Sequence, residues 1–206
     1  MFRHAIVRTP SASMIHGLTS AGLGAPDYPT ALRQHRQYVR ALEDCGLTVA
    51  VLPADENFPD ASFVEDTALL TPRCAVITRP GAPSRRGETA AMEAAVGRFY
   101  PALERIQAPG TLDGGDVMLV GDHAYIGLSG RTNREGARQL IAILRRCGMT
   151  GSTVPLKNVL HLKTGVSYLG ENLLAASGEF LSEPQFRRFD LLPVADDERY
   201  AANCLW

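Results

Sequence analysis

Apolar residues in this chain come in short clusters, each closed off by glycine, proline or acidic residues. Runs of Val, Ile, Leu and Tyr bounded in this way predict strands. They fall at Ala5–Val7, Thr48–Leu52, Thr67–Leu70, Ala75–Thr78, Arg105–Gln107, Val117–Val120, Ala124–Ile126, Ser152–Pro155, Tyr168–Leu169 and Leu173–Ala176. Three stretches carry helical spacing instead: Tyr28–Cys45, Gly87–Phe99 and Arg131–Cys147. In the last, Ala137, Leu140, Ile141, Leu144 and Cys147 share one face, with Arg138, Arg145 and Arg146 on the other. Gly46 and Gly148 follow two of these helices, where a left-handed residue closes the final turn.

The order of hairpin and helix recurs. FVEDTALLTPRCAVITRPGAPSRRGET and LDGGDVMLVGDHAYIGLSGRTNREGA each hold an acidic turn, a strand, a second strand and an arginine-bearing loop into a helix. Asp66 aligns with Asp116 and Ala75 with Ala124, at spacings of 50 and 49. HLKTGVSYLGENLLAASGEFLSEPQF repeats the order, with Gly165 a further 49 residues beyond Asp116. A unit of hairpin, helix and further strand cannot cover its own apolar faces, so a ring or stack of units is predicted, an α/β propeller-like arrangement. A single α/β sandwich is the simpler alternative. No internal boundary stands out, and residues 1–206 are expected to form one domain.

Composition narrows the function classes. The 206 residues are 45% hydrophobic, and 21 basic against 22 acidic side chains give a net charge of -1. That balance offers no electrostatic reason for nucleic acid or an anionic membrane as partner. The opening MFRHAIVRTP lacks the apolar run of a secretory signal and no later run approaches bilayer length, so a cytoplasmic location is expected. Cys45, Cys74, Cys147 and Cys204 form no CxxC pair and are expected to be free thiols. No histidine pair among His4, His16, His35, His123 and His161 has zinc-ligand spacing, so no metal is implied.

Candidate chemistry concentrates in PDASFVEDT, where Asp60, Glu65 and Asp66 are interleaved with Phe63 and Val64. On a strand, Phe63 and Glu65 would share one face and Val64 and Asp66 the other. Carboxylates beside an aromatic suit a guanidinium or ammonium, which pairs with the one and stacks on the other; a solvated turn is the alternative. In TLDGGDVML, Asp113 and Asp116 bracket a Gly-Gly pair that permits close backbone approach, or simply forms a hairpin turn. The repeat puts Asp113 in the same part of its unit as Glu65 of the preceding unit, so both could face a common axis. His161 occupies the matching region of the next unit and could carry protons between such carboxylates. Arg85 and Arg131 precede helices, where positive charge gains nothing from the helix dipole; a ligand carboxylate would give them a reason.

The strings LTSAGLGAPDY, FPDASFVEDTALL, CAVITRPGAPSRRGET, APGTLDGGDVM, GLSGRTNREGARQ and VLHLKTGVSYL resemble, in this order and spacing, the dimethylarginine dimethylaminohydrolases of the amidine-modifying (pentein) superfamily. The resemblance runs from Met1 to Trp206. It implies a five-fold pseudosymmetric α/β propeller whose last repeat is missing or incomplete here. It also implies hydrolysis of Nω,Nω-dimethylarginine and Nω-monomethylarginine to citrulline with release of dimethylamine or methylamine, through a cysteine thiolate and without an obligatory cofactor. By the resemblance, Glu65, Asp66 and Asp113 surround the guanidinium, while Asp60 and the backbone of Leu18 hold the amino-acid end. Arg85 and Arg131 receive its carboxylate, and His161 is the acid/base. Some relatives have glutamate where this chain has Asp113.

The family's nucleophile lies in a late segment that this sequence does not match. Cys204 and Cys74 read as hydrophobic thiols, and Cys45 and Cys147 as helix ends, so the chain as given is expected to be inactive and a fragment or truncated product. Two other readings stand beside this one: a different guanidine-modifying enzyme of the arginine deiminase or amidinotransferase kind, and a catalytically dead amino-acid-binding protein. The partner expected in each case is a small molecule. A homodimer is compatible with the sequence.

Overall fold

The structure, a computed structural model, describes residues 2–19, 22 and 24–205. Met1, Trp206 and, within the LTSAGLGAPDY string, Ser20, Ala21 and Leu23 lie outside the described residues. Among the described residues, four small sheets follow one another along the chain. In the first, β1 (His4–Arg8) runs parallel to β2 (Thr48–Leu52), and α1 (Tyr28–Asp44) connects them.

The next two sheets realise the predicted unit in full. β3 (Ala68–Leu70) pairs antiparallel with β4 (Ala75–Ile77), and β5 (Leu103–Arg105) returns parallel to β4 after α2 (Thr89–Val96). β6 (Val117–Val120), β7 (His123–Leu128), α3 (Arg134–Arg146) and β8 (Thr150–Pro155) repeat that order. The last sheet holds β9 (Val166–Tyr168), β10 (Leu173–Ala176) and β11 (Asp190–Pro193), with 3-10 turns at Gly178–Ser182 and Pro184–Phe186 in place of an α-helix. The first strands of the three hairpins begin at Ala68, Val117 and Val166, 49 residues apart each time.

Several boundaries differ from those the sequence predicts. β5 lies two residues earlier than Arg105–Gln107. The stretch Gly87–Phe99 is a 3-10 turn, Pro83–Glu88, leading into the shorter α2. α3 starts at Arg134 because the side chain of Asn133 caps it, accepting the Gly136 amide at 2.8 Å and the Thr111 amide at 3.1 Å. β11 escaped detection since DLLP ends in proline; it is an edge strand, where a residue without an N–H is tolerated. Gly46 and Gly148, at φ +85° and +73°, adopt the left-handed conformation expected after α1 and α3.

α3 shows why the helices form where they do. Ala137, Leu140, Ile143 and Leu144 are buried in one cluster with Val117 and Ile126 of the adjoining sheet and with Leu112, leaving Arg138, Arg145 and Arg146 toward solvent. Each fully buried Leu or Ile contributes about 1.5–3 kcal/mol. A second apolar cluster, with Phe180, Phe186 and Leu174, fills the space between the third and fourth sheets, and a third lies beneath α2. Among the described residues, no helix is long and apolar enough to cross a membrane.

Candidate active site

Each hairpin is entered through a 3-10 turn: Val64–Thr67, Gly114–Asp116 and Leu162–Thr164. Each of these turns packs on the next. The repeat therefore gathers residues from around positions 65, 115 and 161 at one place. The PDASFVEDT segment is not a strand, and this alters which side chains go where. The tight turn sends Asp66 inward, 7% exposed, and leaves Phe63 at the surface with Glu65 beside it. Glu65 Oε1 pairs with Lys163 Nζ at 2.5 Å, across 98 residues of sequence.

Two glycines make the approach possible. A Cβ on Gly114 would strike the Glu65 carbonyl, and one on Gly115 would stand 2.8 Å from Asp66 Oδ1 and 3.1 Å from the His161 ring. With no side chain there, the Gly115 amide donates to Asp66 Oδ1 at 2.9 Å. One unit further on, the Leu162 amide donates to Asp116 Oδ1 at 3.1 Å. The alignment of Asp66 with Asp116 thus has a physical meaning: each carboxylate holds the backbone of the following unit's turn.

Three carboxylates face the imidazole. His161 Nε2 is 3.9 Å from both Asp66 Oδ1 and Asp113 Oδ2, and Nδ1 is 3.4 Å from Asp116 Oδ1. The near atoms of Asp66, Asp113 and His161 all lie within 4.8 Å of one another, so a single cationic group can touch all three. Burial by itself would lower the pKa of His161, but Asp116, Asp66 and Asp113 outweigh it and raise the value above the ordinary one.

Asp113 is fully buried, with Oδ1 accepting the Gly81 amide at 2.8 Å and Oδ2 without a hydrogen-bond partner. Burial pushes its pKa up to about 6; the Gly81 amide opposes the rise and Asp66 adds to it. An unpaired buried carboxylate oxygen costs stability unless something positive or donating meets it.

Arg85 has its own reason for preceding a helix. Its guanidinium donates to Asp66 Oδ2 at 2.6 Å, to Glu88 at 3.0 and 2.8 Å, and to the carbonyls of Asp60 and Phe63 at 3.2 and 3.0 Å. It is 5% exposed, and two buried carboxylates hold it charged against the cost of burial. Arg131 is the contrary case. It lies half-buried in the loop before α3, and its guanidinium makes no ion pair among the described residues. The carboxylate of Asp60 accepts the Leu18 amide at 3.0 and 3.3 Å, bringing these two residues together.

None of the four thiols is among the groups facing His161. Cys74 is buried in the core at the start of β4, hydrogen-bonded to Thr71, and Cys147 ends α3 against the same cluster. Cys45 is exposed at the end of α1, and the Cys204 amide donates to Ser167 Oγ at 3.1 Å. Sequence reasoning did not assign roles to Asp116 and Lys163. Asp116 carried a signal, its alignment with Asp66; Lys163, a single charge beside His161, carried none.

Repeated hairpins around converging acidic turns, with one histidine among carboxylates, mark the class: an α/β fold of the pentein type. The same fold occurs at 14% identity and a TM-score of 0.85 in the N-terminal domain of a cyanobacterial arginine dihydrolase, covering 100% of this chain and 80% of that one. The family model for eukaryotic N,N dimethylarginine dimethylhydrolase matches residues 28–190. The N(G),N(G)-dimethylarginine dimethylaminohydrolase of Pseudomonas aeruginosa is 58% identical over 207 aligned positions, covering 100% of this chain and 82% of that protein. A solved cysteine-to-serine mutant of the Pseudomonas aeruginosa enzyme, complexed with citrulline, superposes with a TM-score of 0.99 at 58% identity, covering 100% of this chain and 81% of that one. A histidine-to-glycine dimethylarginine dimethylaminohydrolase, as an adduct with S-methyl-L-thiocitrulline, has the same identity and TM-score, 0.99, covering 100% and 82%. The chain belongs to the dimethylarginine dimethylaminohydrolase family.

Proposed function

We propose that the cluster around His161 binds the cationic guanidinium of an Nω-methylated arginine. The observation that carries this reading is Asp113 Oδ2, fully buried, without a hydrogen-bond partner and 3.9 Å from His161 Nε2. Among the described residues, Asp66 pairs with Arg85, and Asp66, Asp113 and Asp116 share His161 as their other buried cation, so the site holds an excess of negative charge that a guanidinium neutralises. Asp66 and Asp113 contact the guanidinium, with Glu65 at the rim. Asp60 and the backbone of Leu18 hold the amino-acid end, and Arg131 pairs with its carboxylate, as the freedom of its guanidinium supports. Arg85 adds positive charge toward that end and fixes Asp66 in place.

In the chemistry proposed for the site, a thiolate attacks the central guanidinium carbon and His161 Nε2 passes a proton to the departing amine. The same nitrogen then takes a proton from the water that releases citrulline. Asp66 and Asp113 keep the guanidinium fixed through both halves. We assign the thiolate to none of the four cysteines of this chain: Cys74 lies in the core, Cys45 and Cys147 at helix ends, and the Cys204 amide is bound to Ser167. The 206-residue chain therefore binds its ligand without turning it over.

Calorimetric titration with dimethylarginine, arginine and citrulline, alongside colorimetric citrulline detection, tests this reading. Binding of dimethylarginine with no citrulline released is the expected result. Preference for unmethylated arginine would favour the deiminase-type alternative, and turnover lost on mutating Cys74 or Cys204 would overturn the cysteine assignment.

A further inference from the structure

Asp116 is fully buried and borders two regions that the proposed function assigns to opposite ends of the ligand. Its Oδ1 accepts the Leu162 amide at 3.1 Å and stands 3.4 Å from His161 Nδ1, on the far side of the ring from Nε2. Its Oδ2 accepts two hydroxyls, Ser129 Oγ and Thr132 Oγ1, both at 2.6 Å. Those hydroxyls are engaged in turn. Ser129 Oγ accepts the amides of Arg131 at 2.9 Å and Thr132 at 3.1 Å, and Thr132 Oγ1 accepts the amide of Asp113 at 3.1 Å.

We infer that Asp116 is a positioning residue that ties the imidazole to the arginine-bearing loop, so that seating the ligand's carboxylate and orienting the proton carrier are one event. The inference rests on the ligand reading proposed above. A carboxylate facing Nδ1 favours the tautomer with its proton there, which leaves the Nε2 lone pair toward Asp66 and Asp113; it also raises the basicity of Nε2. At 3.4 Å the buried Nδ1 is within ion-pair reach of Asp116 Oδ1 but makes no hydrogen bond, while both hydroxyl contacts are short. The loop side is therefore the firmer anchor, and a pull on Arg131 reaches the ring through one rigid side chain.

Asp66 provides an internal contrast. It holds the next unit's turn through the Gly115 amide just as Asp116 does through Leu162, but its second oxygen is spent on Arg85. A purely structural role for Asp116 needs only the Leu162 contact. The two short hydroxyl bonds beneath the arginine loop and the approach to Nδ1 are additional to that role.

The test uses Asp116→Asn in the full chain, with citrulline as probe. Loss of a charged acceptor is expected to weaken citrulline binding by about ten- to a hundredfold. In an Arg131→Ala background the same substitution should cost much less, because the loop then has no carboxylate to hold. The His161 imidazole, followed by NMR without ligand, should titrate at lower pH in Asp116→Asn. An unmoved imidazole titration in a folded variant, or losses that simply add across the Arg131→Ala cycle, would overturn the inference. Should Asp116→Asn not fold, Ser129→Ala keeps the carboxylate and removes one tether. It should weaken citrulline binding only while Arg131 is present, and unchanged affinity would count against the coupling. The ligand-free titration separates the two proposals: wild-type chain that ignores citrulline defeats the ligand reading, yet leaves the Asp116–His161 relation measurable.

Discussion

Arg85 Nη1 and Asp66 Oδ2 are 2.6 Å apart in a place where both side chains are more than nine-tenths buried. The other oxygen of that carboxylate holds the Gly115 amide of the next unit, so one ion pair braces both the site and the junction between two units. Replacing Arg85 with Met leaves Asp66 and Glu88 as buried charges without their cation. Loss of about 3–5 kcal/mol is expected in urea unfolding. A loss under about 1 kcal/mol would show that the pair does not brace the fold.

Asp113 gives the chain a pH signature. Its folded-state pKa of about 6 stands above the value of 3.8 expected for an unfolded aspartate, so the folded form binds the proton more tightly. Its contribution is fully favourable below the lower value and is lost as pH rises toward the higher. Relative to Asp113→Asn, wild-type stability should fall by on the order of 2–3 kcal/mol between pH 4 and pH 6.5. His161, with its pKa raised, adds a loss in the same direction at higher pH, through its own folded value. Parallel stability curves for the two proteins would contradict the assignment.

Ligand binding should titrate with the opposite sense. Ionised Asp113 attracts a guanidinium and protonated Asp113 does not, and Asp66, His161 and Arg85 set the field around it. Dimethylarginine affinity is expected to rise about tenfold from pH 5 to pH 7, following one proton released near pH 6. Calorimetry in buffers of different ionisation enthalpy counts that proton.

The Lys163–Glu65 pair is partly solvated, at 22% and 53% side-chain exposure, and should matter little to folding. Lys163→Met is expected to change stability by no more than about 1 kcal/mol. A larger change measured by thermal melting would mean that the pair organises the turns beneath it.

Thiol chemistry distinguishes the cysteines. Cys45 and Cys204 are exposed and Cys74 is buried, so a thiol reagent should label the first two in the folded chain and Cys74 only after unfolding. Mass spectrometry of labelled peptides reads this directly. Early modification of Cys74 would place it near a surface that the fold does not give it.

Legibility in the sequence followed the range of the forces involved. β2, β6 and β10 were predicted to the residue because local apolar runs and their flanking turns define them. β11 was missed because its pairing with β10, rather than its composition, makes it a strand. The site residues were found through the repeat and a family resemblance, both of which look beyond local pattern. What they could not supply was direction. The 3-10 geometry of Val64–Thr67 turns Asp66 inward, where a strand would have given alternating faces. The role of Arg85 in holding Asp66 depends on Glu88, one turn further along the same segment, and no sequence signal distinguished it from Arg131.

Asp66 and Asp116 hold the backbone of the unit that follows each of them, whereas Phe63, Glu65 and Arg131 contribute little to the core. Change at the two groups therefore has different consequences for the lineage. The rim can be altered to admit or refuse different substituents on a ligand while the fold persists. The inner carboxylates cannot drift in the same way, since a substitution that alters the chemistry also loosens the seam between units. Selectivity in this architecture is free to diversify from the outside inward, while Asp66 and Asp116 answer to the requirements of assembly whatever else they do.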